Sequence, residues 1–154
     1  MHCYNEDYQI NILWTQPDKY LELFKKCRAV VTPDFSMYAD MPEALLIYNA
    51  YRRQWVGRYW QENGVKVIPS CSYPEGMIEG WTFAGIPKSG ILATSNAYGG
   101  LDEDAEIGGI RKIIDTLTPK LLFVKASECK AAMLGKHFRF ECIPTYVFAA
   151  DRKK

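Results

Sequence analysis

No apolar run in this 154-residue chain approaches the roughly 20 residues that a membrane-spanning helix needs. The polar opening MHCYNEDYQ does not resemble a signal peptide, so a cytoplasmic protein is expected. Histidine is scarce, with only His2 and His137, which argues against a histidine-rich metal site. The cysteines Cys3, Cys27, Cys71, Cys129 and Cys142 are odd in number and form no CxxC pair. That pattern speaks against a disulfide framework and against a structural zinc, and it fits buried thiols in a reducing compartment. No metal and no cofactor is expected. Charge of one sign is lacking too: Lys+Arg 19 against Asp+Glu 18 leaves a net +1. Coating nucleic acid or an anionic membrane by bulk charge is thereby disfavoured. Neither GxGxxG nor GxxxxGK[ST] occurs, so a standard dinucleotide site or P-loop finds no support. No repeat, low-complexity tract or linker divides the chain, and one domain over residues 1–154 is expected.

What is present is a core. Hydrophobic residues make up 48% and aromatics 14%. Short β-branched runs at 29–33, 65–69, 91–95 and 121–125 read as buried parallel strands, with a further strand at 143–149 and a possible short one at Trp81–Phe83. Between them lie helical patterns. One follows Thr15-Gln16-Pro17-Asp18 and carries Tyr20, Leu21, Leu23, Phe24 and Cys27. A second runs from a cap at Asp40, with Pro42 in its first turn, to Asn63 and a stop at Gly64. A third spans Leu101 to Leu117 and ends before Pro119. Alternation of this kind specifies an α/β fold: a single three-layer domain with a mainly parallel sheet of about five strands. A doubly wound order is favoured. A partial β/α barrel is the alternative, since a complete barrel takes about 250 residues.

In open parallel sheets, ligands bind beyond the carboxyl ends of the strands. Here those ends carry Asp34 and Ser36, then Ser70, Cys71 and Ser72, then Ser95 and Asn96, and finally Lys125. The long helix adds Arg52, which falls near the centre of an apolar face made by Ala44, Leu45, Tyr48, Tyr51, Trp55, Val56 and Tyr59. A buried arginine needs an anionic partner, and Asp34 is the first candidate. Arg53, Arg58 and Trp60 fall outside that stripe, on what reads as a solvated flank. Gly99-Gly100 precedes a helix whose first turn holds Asp102, Glu103, Asp104 and Glu106; those acids occupy the helix N-terminus and would repel a phosphate, while leaving open a divalent-metal site.

The middle of the chain resembles a known family. Thr32-Pro33-Asp34-Phe35-Ser36, Asp40-Met41-Pro42, Tyr48-Asn49, Tyr51-Arg52, Trp55, Gly57, Tyr59-Trp60-Gln61, Val67-Ile68-Pro69 and Gly85-Ile86-Pro87-Lys88 are similar to the bacterial and phage family called domain of unknown function 4417. The resemblance implies a protein of a phage or mobile element and carries no activity with it. Three functions of different class follow. The first is a binder of a small anionic, nucleotide-like ligand using Asp34, Ser36, Arg52, Ser70, Ser72, Ser95, Asn96 and Lys125. The second is a protein-interaction or host-factor inhibitor module using the aromatic loop around Tyr73, Trp81 and Phe83. The third is a hydrolase-type enzyme on a phosphate-bearing substrate with Asp34 as acid or base, and Cys71 or a serine as a possible nucleophile.

Overall fold

The computed structural model describes residues 1–73, 80–95 and 103–144. Helix α1 (Asp7–Thr15) and the single turn α2 (Leu21–Lys25) lead into β1 (Val30–Val31). Helix α3 (Glu43–Glu62), β2 (Val67–Ile68) and β3 (Ile91–Thr94) follow. Helix α4 (Glu103–Leu117), β4 (Leu121–Ala126), α5 (Glu128–Leu134) and β5 (Glu141–Pro144) complete the described chain.

Every strand pairing among the described residues is parallel, as the apolar runs imply. β1 pairs with β2 at Val30↔Val67, β3 with β4 at Ile91↔Leu121, and β4 with β5 at Phe123↔Glu141. A single parallel bridge, Ser70↔Ala93, joins the two sheets, with Cys71 N–H on Ala93 O and Ala93 N–H on Pro69 O. The described strands therefore stand in chain order with no reversal point among them, and of the two arrangements the sequence leaves open this order fits the partial barrel. Side-chain alternation agrees. Val30, Leu92, Leu122 and Val124 face clusters shared with the helices, whereas Val31, Ile68, Ala93, Phe123 and Ile143 meet in a separate inner cluster with Tyr4. In a flat sheet β1 and β5 would stand roughly 19 Å apart. Here Val31 and Ile143 line one cavity of about 250 Å³, so the sheet is curled.

Helix α3 packs differently from the stripe that apolar counting selects. Leu45, Tyr48, Tyr51 and Trp55 are exposed; Leu46, Asn49, Ala50, Arg53, Val56, Gly57 and Trp60 are buried. Small residues decide this. Gly57 lets the helix close on β1, since a Cβ there would stand 2.6 Å from Thr32 Cγ2. Trp60, fully buried, fills the space beside Phe24 and donates to Pro17 O at 3.2 Å. Asp40 does not cap the helix, whose N-cap is Pro42 without a side-chain hydrogen bond. Gly64 ends it with φ +85°, its N–H on Gln61 O and Val65 N–H on Trp60 O, a Schellman closure.

Other expectations shift by local chemistry. Thr15-Gln16 closes α1 and does not open the next helix; after Pro17, only Leu21–Lys25 is helical. Trp81–Phe83 forms turns, with Ala84 N–H on Trp81 O, and is not a strand. Helix α5 has Ser127 as N-cap, accepting from Lys130 N, and the apolar pattern did not announce it. β5 begins at Glu141; residues 145–149 of the expected strand lie outside the described residues.

The close contact at Gly57 predicts a sign. Gly57→Ala, which stabilises an ordinary helix by about 1 kcal/mol, should here destabilise by roughly 1–2 kcal/mol because Thr32 must yield. Urea denaturation checks it; a variant more stable than wild type would contradict the packing.

Candidate functional site

Asp34 follows β1 through Thr32-Pro33, and the curl of the sheet brings it against the ends of β2 and β3. Its Oδ1 accepts Ser70 Oγ–H at 2.8 Å, and its Oδ2 accepts Ser72 Oγ–H at 3.1 Å together with a short hydrogen bond from Ser95 Oγ–H. Backbone groups join in: Ser95 N–H donates to Ser72 Oγ at 3.0 Å, and Ser70 N–H to Thr32 Oγ1 at 2.8 Å. One carboxylate thus ties three strand ends together.

The cation behind Asp34 is Arg53. Its Nη1 lies 3.6 Å from Asp34 Oδ1 and donates to Ser72 O at 2.7 Å, and the guanidinium is wholly enclosed. The sequence pointed to Arg52 instead. Arg52 is buried as expected, but it faces another way: its guanidinium lies 3.5 Å from the Phe35 ring centroid, Nη2 is 3.6 Å from Asp7 Oδ2, and Nη1 donates to Asn11 Oδ1 at 3.2 Å. Adjacent helix residues stand about 100° apart, so only one of the two can aim at the sheet. The face carrying Ala50 and Gly57 is the one that approaches it, and those small residues are the signal that marks Arg53.

Ser36 belongs to the Arg52 side of the loop. Its N–H and Oγ–H both donate to Asp7 Oδ1, at 2.9 and 3.0 Å, fastening the chain after β1 to the start of α1. Lys125 stands on the inner face of β4 near its carboxyl end. Its Nζ donates to Tyr4 O at 3.2 Å and lies 5.6 Å from the Tyr4 ring centroid. Among the described residues it makes no ion pair.

These groups border a cavity of about 200 Å³ at the carboxyl ends of the strands. Asp34, Ser36, Ser72, Ser95 and Lys125 line it. Sequence reasoning missed further polar groups of the wall: Tyr4, Asn5 and Glu6, because the extended N-terminus has no periodic pattern, and Tyr38 in the loop after β1. Ser70 is beneath the lining, fully buried, and Arg52 is outside it. Asn96, Gly99, Gly100 and Asp102 lie outside the described residues, as do the side chains of Glu103 and Glu106. Among the described residues no group of three His, Cys, Asp or Glu is placed to hold a metal ion.

Tyr4 reaches under this floor. Burial, then Asp34 and Cys71, push its hydroxyl well above the usual tyrosine range, and the hydroxyl closes no hydrogen bond among the described residues although Ser70 is near. Cys71 is enclosed and donates to Ala93 O at 3.2 Å; burial pushes its thiol up to about 12, so it is no nucleophile at neutral pH.

Comparison with known proteins identifies the chain's kin. Residues 1–140 match the family described as Domain of unknown function (DUF4417). The chain belongs to this family. It is 34% identical over 125 residues to the Gene 1 protein of Mycobacterium phage L5, covering 79% of this chain and 55% of that protein. With the Gene 1 protein of Mycobacterium phage D29 it shares 31% identity over 125 residues, 79% of this chain and 46% of the relative. The DUF4417 chain thus spans about half the length of these relatives and is phage-associated. No solved structure matches it.

Two predictions follow from the geometry. Arg53→Met should cost about 3–5 kcal/mol by stranding Asp34, while Arg52→Met, whose partner Asp7 is half exposed, should cost roughly 1–2 kcal/mol. Denaturant unfolding ranks the two; equal losses would contradict the assignment of Arg53 to Asp34. In the folded protein at pH 8, Cys3 and Cys71 should resist iodoacetamide while the exposed Cys142 is alkylated, as read by peptide mass spectrometry. Labelling of Cys71 as fast as Cys142 would contradict its enclosure.

Proposed function

We propose that this protein binds a small anionic ligand in the cavity at the carboxyl ends of its strands, with Lys125 as the charge that holds it. The observation that supports the reading is the state of Lys125: an ammonium lining a polar cavity, given one backbone carbonyl and no carboxylate among the described residues. An ammonium has three donors, so two are left for a ligand. Strand-end mouths are where α/β folds take ligands. At about 200 Å³ the cavity suits a small metabolite or the phosphate end of a nucleotide. Among the described residues no helix is long and apolar enough to cross a membrane. The proposed ligand class favours the cytoplasm as its place of action, since phosphate-bearing metabolites abound there.

A second reading is an interaction module, favoured by a different surface from the one the sequence pointed to. Tyr73 is buried against Phe83, while Trp81 and Phe83 are themselves half-buried. A cluster of exposed rings lies on α3, where Tyr48, Tyr51 and Trp55 meet Trp14 from α1 at 6.2, 6.0 and 5.2 Å. The catalytic reading has less support, because both oxygens of Asp34 are taken by serine hydroxyls.

Calorimetric titration with inorganic phosphate and nucleoside monophosphates tests the proposal. Wild type should give saturable heat with at least one of them, and Lys125→Gln should weaken that binding about tenfold while leaving the fold intact. Absence of heat with every anion would leave the interaction reading ahead.

A further inference from the structure

The proton inventory at the mouth restricts the ligand further than its charge does. A serine hydroxyl has one proton to give. Ser70, Ser72 and Ser95 all give theirs to Asp34, which as a carboxylate only accepts. Ser36 gives its proton to Asp7, and Tyr38 Oη–H turns toward Ser36 Oγ at 3.4 Å. The Ser72–Ser95 approach of 3.0 Å is a further hydrogen bond in which either oxygen can donate in place of its bond to Asp34, so that proton too stays within the cluster. What Ser72, Ser95 and Asp34 present to the cavity is lone pairs. Glu6 adds a further carboxylate to the same wall. Among the described lining side chains, N–H donors come only from Lys125 and the Asn5 amide; of the two tyrosine hydroxyls, that of Tyr4 is enclosed and that of Tyr38 is turned toward Ser36.

A ligand that is an anion throughout satisfies Lys125 and then turns its remaining oxygens on a floor of acceptors. Such a ligand either leaves Asp34 and Ser95 unmatched or pulls a hydroxyl proton away from the carboxylate, and both outcomes lose a charge-assisted hydrogen bond. A donor-bearing ligand loses neither. Resting on the anion-binding reading above, we infer that the ligand is a small zwitterion: a carboxylate or phosphate group for Lys125, with an ammonium a few bonds away that donates to the Asp34–Ser95 floor. The size agrees. At about 30 Å³ per water in the liquid, a cavity of about 200 Å³ holds the equivalent of about seven waters, room for an amino acid or an amino-alcohol phosphate.

Matched probes separate the requirements. Wild-type protein is titrated, by calorimetry or by ligand-observed NMR, with acetate against glycine, with ethyl phosphate against phosphoethanolamine, and with ethylammonium alone. In at least one pair the zwitterion should bind about tenfold tighter than its anion-only partner, and Lys125→Gln should weaken the zwitterion. The favoured pair tells carboxylate from phosphate. Equal binding within both pairs would overturn the zwitterion inference and leave anion binding standing. Ethylammonium binding as tightly as either zwitterion, with no effect of Lys125→Gln, would overturn both, as would the absence of binding by every probe.

Discussion

A carboxylate placed under the ends of three parallel strands is costly to leave unpaired, and much of this molecule is arranged around meeting that demand. Asp34 is nearly enclosed, with its side chain 9% exposed. It draws one hydroxyl from each of Ser70, Ser72 and Ser95 and has the enclosed Arg53 guanidinium 3.6 Å away. The partners come from three parts of the chain, the segment after β2, the end of β3 and α3, so the carboxylate fixes where β1, β2 and β3 end relative to one another and to α3. The guanidinium in turn needs α3 to lie close to the sheet, which Gly57 and Ala50 permit. Loss of one member leaves the rest buried without compensation.

The curl of the sheet makes this convergence possible. With strands in chain order and an inner cluster shared by Val31, Ile68, Ala93, Phe123 and Ile143, the inner face is apolar toward the strand starts and polar toward their ends. Among the described residues the helices meet the outer face, where Trp60 and Val56 pack on Val30, and Ile110 and Ile113 pack with Leu122 and Val124. The polar mouth and the apolar interior are therefore two levels of one surface. A ligand bound at the mouth as proposed would sit on the network that orders the strand ends, which would tie binding to the stability of the sheet.

Much of this was legible in the sequence. Uninterrupted β-branched runs announce parallel strands because both of their faces are buried, and parallel strands deliver their carboxyl ends to one rim; Asp34, Ser70, Ser72, Ser95 and Lys125 follow from that alone. Gly64 announces the end of α3 because only a left-handed residue closes a helix that way. The choice between Arg52 and Arg53 was not legible from apolar periodicity, since Tyr48, Tyr51 and Trp55 form an apolar stripe that faces out with Trp14 laid across it. Aromatic residues are amphipathic enough to stay at a surface, so their spacing marks a helix and not its buried side. Tyr4, Asn5 and Glu6 escaped because an extended terminus brings residues to a site by tertiary pairing, here Met1 beside β1 through Ala29 O and Val31 N–H. The residues that give the mouth its polarity are thus read from strand ends, and those that set its donor pattern emerge only from the folded geometry.

The central claim is that Asp34 and Arg53 form one buried unit on which the strand ends depend. A double-mutant cycle with Asp34→Asn and Arg53→Gln, followed by urea unfolding, measures that dependence directly. The account predicts a coupling energy of about 1–3 kcal/mol, the double variant losing less than the sum of the single losses. Additive losses, with no coupling between the two positions, would contradict it.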